Sequence, residues 1–307
     1  MINCNFNREV RLNFGVNTDS FFGIGFGLLG DNNPDRLQDL FNDFFGLLNS
    51  YEIGNIEINT EIEQLNPGSL QKLIIPLVNS FSSKSAVPFS FSVHLPYLQL
   101  NPASPLEEYR EVSVKAMSGV INACRRGLDV KKFVIHLTSE FEDSIMFFPI
   151  EEKAKKALID IAVRQAKKSM SDILKETKLP PDVFALENLE VFPFDYLYPI
   201  VEEFGISVCF DMGHWGLNGF MPEDFLKKFD INRIGEIHIQ DMAEKRTGLR
   251  TTVRNEHGPL GTGILNPAGF FNSLIENERF SGPLIIENRS KEDLISSLDY
   301  LKSGNFI

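Results

Sequence analysis

The chain is poor in cysteine, has fewer basic than acidic residues, and contains no apolar run of bilayer length; each shortage narrows what it can be. Cys4, Cys124 and Cys209 are odd in number and lack C-x-x-C spacing. That disfavours a disulfide framework or a cysteine zinc knot and points to a reducing compartment. Lys plus Arg number 30 against 42 Asp plus Glu, a formal net charge of −12. Such a surface works against binding to phosphate backbones, so nucleic acid is disfavoured as a partner. The start, Met1-Ile2-Asn3-Cys4, has neither a basic nor an apolar leader region, and with no membrane span the expected location is cytoplasmic. No G-x-S-x-G occurs, which removes the motif support for a serine nucleophile.

What the chain does have is a regular alternation of short apolar runs with amphipathic segments. Strands are predicted at Val10–Asn17, Ile53–Asn59, Phe89–His94, Phe133–His136, Val183–Leu189, Ser207–Asp211, Ile234–Ile239 and Pro283–Glu287. Between them, Leu37, Leu40, Phe41, Phe44, Phe45 and Leu48 form a helical stripe, preceded by Asn33 as N-cap and Pro34. Leu70–Phe81 reads as a helix kinked by Pro76, and Ser104-Pro-Leu-Glu107 as a capping box opening the next one. A long helix is predicted from about Ile150 to Lys175, and Ser290 caps the last.

Eight apolar strands each followed by a helix, without a break in composition, predict an α/β fold: a (β/α)8 TIM barrel forming a single domain over residues 1–307. An irregular stretch after the seventh strand, about 241–265, is long enough to be functional. The competing architecture is a doubly wound open sheet. It needs a Gly-rich fingerprint in its first turn, and Phe26-Gly-Leu-Leu-Gly30 is read as falling short of it.

The chemistry-bearing residues fall at the strand ends. His94, His136, Glu187, Asp211, His238 and Glu287 close or nearly close six consecutive strands, and in a TIM barrel those ends ring one mouth. A lone histidine in such a place is more often a hydrogen-bonded structural residue. Leu186-Glu187 and Ile286-Glu287, however, put a carboxylate straight after apolar strand residues. A buried, unpaired carboxylate costs roughly several kcal/mol, so each needs a cation or strong donors. One divalent metal answers several of them, and mixed imidazole and carboxylate donors suit manganese, zinc, cobalt or iron(II) rather than a calcium cage. His214 and His257 are expected to join the same mouth, completing the set of five histidines. Glu57 can hydrogen-bond into the pocket, Trp215 can wall it, and Arg246, Arg250 or Arg254 can hold a phosphate or carboxylate.

In this order, His94-Leu-Pro-Tyr97, Val134-Ile-His136, Leu186-Glu-Asn188, Phe210-Asp-Met-Gly-His214, Ile237-His-Ile-Gln-Asp241, His257-Gly-Pro-Leu-Gly-Thr-Gly263 and Ile286-Glu-Asn288 resemble the xylose-isomerase-like TIM-barrel superfamily over roughly residues 90 to 290. That group holds sugar and sugar-phosphate isomerases and epimerases and the zinc-dependent apurinic-site endonucleases. The resemblance implies a divalent metal (manganese, zinc, cobalt or magnesium) on Glu187, Asp211, His238 and Glu287, with His214 and His94 facing the substrate or supporting the ligands.

It also implies the reaction: isomerisation or epimerisation of a small carbohydrate, free or phosphorylated, through a metal-stabilised enediolate, with Glu187 and Glu287 as proton carriers. The alternative from the same resemblance is phosphodiester hydrolysis at abasic DNA by a three-metal cluster using His94, His136, Glu187, Asp211, His214, His238, His257 and Glu287. That branch expects an Asp where this chain has Asn255, and an Arg-bearing loop and a first-strand His that are missing here. A barrel that binds sugar without converting it is the third reading. A homo-oligomer is compatible with all three.

Overall fold

The computed structural model describes residues 12–22, 34–243, 256–277 and 280–307. Eight parallel strands close into a barrel in sequence order. They are β1 (Asn13–Asn17), β2 (Asn55–Asn59), β3 (Ser90–His94), β4 (Val130–Ile135), β5 (Phe184–Glu187), β6 (Ser207–Asp211), β7 (Ile234–Ile239) and β8 (Pro283–Ile286). β8 pairs with β1 from Asn13 opposite Pro283 to Val16 opposite Ile286, which shuts the sheet. Closure removes the open-sheet alternative. The glycines at 25, 27 and 30 do carry G-x-G-x-x-G spacing, contrary to the expectation, but they lie outside the described residues.

Outside the barrel run α1 (Asp19–Phe22), α2 (Pro34–Ser50), α3 (Glu61–Leu65), α4 (Ile75–Ser82), α5 (Glu107–Gly127), α6 (Glu140–Ile145) and α7 (Glu152–Thr177). They continue with α8 (Tyr198–Phe204), α9 (Met212–Leu217), α10 (Pro222–Lys228), α11 (Pro267–Asn277) and α12 (Lys291–Ser303). Alternate strand residues point outward onto these helices and form one continuous apolar layer, in which Phe41, Phe44 and Phe45 of α2 are buried as their spacing predicts. Inward residues are mostly small or polar, with Ile285 of β8 packed over Gly15 as a large apolar exception. Val134, Ala185 and Cys209 make a separate buried cluster, and Ser92 of β3 donates across the barrel to Glu236 of β7 at 3.0 Å.

Three local expectations change. The Pro76 interruption becomes a π-helical turn over Leu70–Ile74 that runs into α4, with Pro76 in that helix's first turn, where a missing N–H costs little. The Ser104 capping box does not form: Ser104 Oγ accepts from Leu106 N at 3.1 Å, and the Glu107 carboxylate turns to Arg110 at 2.8 Å. Arg110 is buried and draws both Glu107 and Asp172 to its guanidinium, which outweighs a cap. A capping box forms instead at Ser139 and Glu142, opening α6. The predicted Asn33 cap lies outside the described residues, while Ser290 caps α12 as expected, accepting from Asp293 N at 3.1 Å.

Candidate metal centre

The barrel brings all six strand-end candidates to its carboxyl-terminal mouth. His94, Glu187 and Asp211 are the last residues of β3, β5 and β6; His238 is next to last in β7; His136 and Glu287 lie one residue beyond β4 and β8. Glu187 is the hub. Its Oε2 receives His94 Nε2 at 3.1 Å and His136 Nε2 at 2.9 Å, while its Oε1 faces His238 Nδ1 at 3.2 Å. The same Nδ1 lies 3.8 Å from Asp211 Oδ2 and 3.5 Å from Glu287 Oε2. One imidazole and three carboxylates, Glu187, Asp211, His238 and Glu287, thus place a ligand atom each within 4.8 Å of one another.

Asp211 is fixed from several sides. Asn188 brackets its backbone through two hydrogen bonds of 2.9 Å. Oδ1 accepts from His214 N at 2.6 Å, which caps α9, and Oδ2 accepts from Gln240 Nε2 at 2.7 Å. Gly213 makes that last bond sterically possible, since a Cβ there would sit 2.4 Å from Gln240 Cδ. His214 reaches Glu187 Oε1 with Nε2 at 3.6 Å, and its Nδ1 lies 3.7 Å from both Glu190 and Glu256. His257, held at a left-handed φ of 57°, donates Nδ1–H to the Glu287 carbonyl at 3.1 Å, which leaves Nε2 as its bare nitrogen.

The electrostatics are those of an acidic cluster short of positive charge. Burial opposes ionisation of Glu187, but the charges and hydrogen bonds of His238 and His136 hold it well below the ordinary carboxylate range. Burial likewise opposes charging of His94, and the hydrogen bond and charge of Glu187 nonetheless lift it to about 10. Glu287 is pushed up to about 8 by burial and by the nearby Glu187 and Asp211, against the pull of His238. Burial and the charge of Arg289 lower His257 to about 3, so it is neutral. Protons are being recruited to balance packed carboxylates. A divalent cation does the same task with oxygen and imidazole donors already in place, so the residues fit one.

Above the cluster opens a cavity of about 670 Å³ whose floor includes His94, His136, Glu187, His214, His257 and Glu287. Its described walls carry Asp19, Glu140, Asp143 and Glu190 against Arg289 as the basic residue. Two expected contributors do not line the cavity. Glu57 lies beneath the floor inside the barrel and reaches the site by hydrogen bonding, facing His238 Nε2 at 3.3 Å and accepting from Asn17 Nδ2 at 2.6 Å. Trp215 turns away, stacking on Phe220 at 4.7 Å and donating its ring N–H to Met221 O. Arg246, Arg250, Arg254 and Asn255 lie outside the described residues. Asn17, Glu190, Gln240, Glu256 and Arg289 were not singled out in the sequence. Gln240 stands inside the motif Ile237–Asp241, and Glu256 and Arg289 each adjoin a motif residue, which is the signal that could have found them.

The comparisons agree with this fold. Residues 83–304 match the family described as xylose isomerase-like TIM barrel. The chain belongs to that family. It is 26% identical over 219 residues to the uncharacterized protein MJ1311 of Methanocaldococcus jannaschii, a match covering 68% of each chain. In structure it resembles a D-tagatose 3-epimerase-like protein, with a TM-score of 0.66 at 19% identity over 96% of this chain and 97% of that one. It also resembles a Thermus thermophilus protein, TTHB071, whose crystal was soaked with zinc chloride. There the TM-score is 0.53 at 18% identity, over 86% of this chain and 93% of that one. At these identities the structural likenesses speak for the fold.

Proposed function

We propose that this family member is a divalent-metal-dependent isomerase or epimerase of a small sugar or sugar phosphate. The observation that carries the reading is the contrast between floor and wall: a cation-seeking cluster lies at the bottom of a cavity whose described wall is acidic. Carboxylates and imidazoles hydrogen-bond the hydroxyls of a polyol, whereas an acidic wall repels a phosphodiester backbone. The cavity falls within the range of roughly 300–1,000 Å³ typical of small-molecule sites.

A bound divalent cation supplies Lewis acidity, polarising a carbonyl and favouring the charge that develops when the neighbouring carbon loses its proton. The protein's own groups do the rest. Glu187 and Glu287 flank His238 Nδ1 at 3.2 and 3.5 Å, one carboxylate to remove a proton and the other to return it. His94, His136 and His214 orient substrate hydroxyls, and Arg289 is the wall residue suited to a distal phosphate. Glu187→Gln and Glu287→Gln should each lower turnover by about 10²- to 10⁴-fold or more, with the circular dichroism spectrum unchanged. Two fully active variants on the true substrate would refute the assignment.

One observation favours a second reading, metal-dependent phosphodiester hydrolysis. The two oxygens of Glu187 serve separate donor sets, His94 and His136 on one side and His238 on the other, as a carboxylate between two cations does. Elemental analysis separates the two: one tightly held cation per chain supports the isomerase, two or three zincs the hydrolase.

A further inference from the structure

Beneath the quartet, inside the barrel, a hydrogen-bonded chain joins two of the candidate ligands from below. His238 turns its two ring nitrogens to different surroundings. Nδ1 faces Glu187, Asp211 and Glu287 at 3.2 to 3.8 Å, while Nε2 faces Glu57 Oε2 at 3.3 Å. Glu57 comes from the middle of β2 and is fully buried. Its other oxygen, Oε1, accepts from Asn17 Nδ2 at 2.6 Å, and the same amide nitrogen donates to Glu287 Oε1 at 3.0 Å.

The orientation of the Asn17 amide is set independently, because its Oδ1 accepts from Asp19 N at 2.8 Å at the start of α1. Both amide hydrogens are thereby aimed at carboxylates. One holds Glu57 under His238; the other holds Glu287 Oε1 and leaves Oε2 on the Nδ1 side. Both ring nitrogens face carboxylates, Nδ1 toward Glu187 at 3.2 Å and Nε2 toward Glu57 at 3.3 Å, with Glu236 Oε1 farther off at 3.7 Å. When a cation takes the Nδ1 side, the carboxylate facing Nε2 keeps the remaining proton there and Nδ1 gives its lone pair to the cation.

We propose that Asn17 and Glu57 are positioning residues of the metal centre: Glu57 takes the Nε2–H of His238 so that Nδ1 faces the cation, and Asn17 locks Glu57 and Glu287 into one frame. Both act through the ligands they hold, and neither needs to be a ligand itself. The inference rests on the divalent-metal reading above.

Zinc titration with a chromogenic competing chelator tests it on the full chain, together with long-range proton–nitrogen spectra of the zinc-loaded wild type. Glu57→Gln should weaken zinc binding by about tenfold to a hundredfold, the usual effect of losing such a support. Asn17→Ala should weaken it in the same direction. The wild-type spectra should show a bare, zinc-shifted Nδ1 and an Nε2–H moved downfield and protected from exchange by its bond to a carboxylate, a signature that a merely space-filling Glu57 would not produce. Wild-type affinity in both variants, a freely exchanging Nε2–H, or a proton on Nδ1 overturns the proposal. If a variant fails to fold, the wild-type spectra still decide. Wild-type protein that takes up no divalent cation would instead sink the metal reading itself, a result distinct from tight zinc binding with the wrong tautomer.

Discussion

Asp211 has both carboxylate oxygens engaged by the protein, one by the His214 N–H at 2.6 Å and one by Gln240 at 2.7 Å. Its freedom to shift is therefore small, and it depends on Gly213 leaving room for Gln240. Gly213→Ala places a Cβ 2.4 Å from Gln240 Cδ, so the amide must move and release Asp211. We expect divalent-cation affinity to fall by about tenfold or more, as when a ligand's support is lost, with secondary structure retained; chelator competition measures it, and unchanged affinity would disprove the coupling. At this scale the histidines and strand-end acids were legible because imidazole and buried carboxylate are chemically conspicuous. Asn17 was not, and Gln240 stood inside a motif with its role unread, since amides serve many structural tasks. Trp215 misled for a geometric reason: neighbours on a helix point about 100° apart, so His214 and Trp215 of α9 face different environments.

Among the elements, α7 offers a clean test of local conformation. It ends at Lys178, whose φ of 56° and ψ of 29° are left-handed, a backbone state that costs a side-chain-bearing residue about 1–2 kcal/mol. Its N–H still closes the helix on Leu174 O at 2.9 Å. Lys178→Gly should stabilise the fold by about 0.5–1 kcal/mol once the extra entropy of unfolded glycine is subtracted. Denaturant unfolding would read this as a higher midpoint at constant slope, and a lower midpoint would contradict it. Element type was legible from periodicity, and β6 and β7 match their predicted bounds. β4 starts earlier than expected, at Val130. Its polar Lys131 and Lys132 hid the strand, and Lys132 is in fact drawn to Ser207 and the Asp182 carbonyl. The Ser104 cap failed because Glu107 pairs instead with Arg110, one turn on in the same helix, and with Lys168 of α7. The Arg110 partner was local, but its burial and its pairing with Asp172 come from packing against α7, which helix signals in sequence do not carry.

For the whole molecule, charge balance at the mouth links stability to cations and pH. A ligand that binds only the folded state at 100 times its dissociation constant adds about 2.7 kcal/mol. Chelation should therefore lower the melting temperature by several degrees, and adding back zinc or manganese should restore it. The cation-free protein carries a further signature. His94 is raised from 6.5 to about 10 and Glu287 from 4.5 to about 8, so the folded state holds more protons than the unfolded one. A raised folded-state value gives stability present below the unfolded value and lost as pH rises through the folded one. Glu287 loses its contribution between about pH 4.5 and 8 and His94 between about pH 6.5 and 10. The chelated protein should thus lose stability most steeply between about pH 6.5 and 8, where both are lost together, whereas the loaded protein, with a cation in place of those protons, should show a flatter profile. Parallel profiles would argue against cation binding at this cluster.

The pattern of apolar runs and helical stripes was enough by itself to determine an eight-fold β/α chain and the strand ends that carry acid and imidazole, because periodicity and the cost of burying a carboxylate are both local facts. Tertiary structure alone decided which acids share one space. Closure of β8 on β1 set Asn17 beside Glu287 across almost the whole length of the chain. The inward turn of alternate residues put Glu57 and Glu236 under His238 rather than in the cavity. Distances between strands distant in sequence follow from register and barrel closure, which no single stretch of residues encodes.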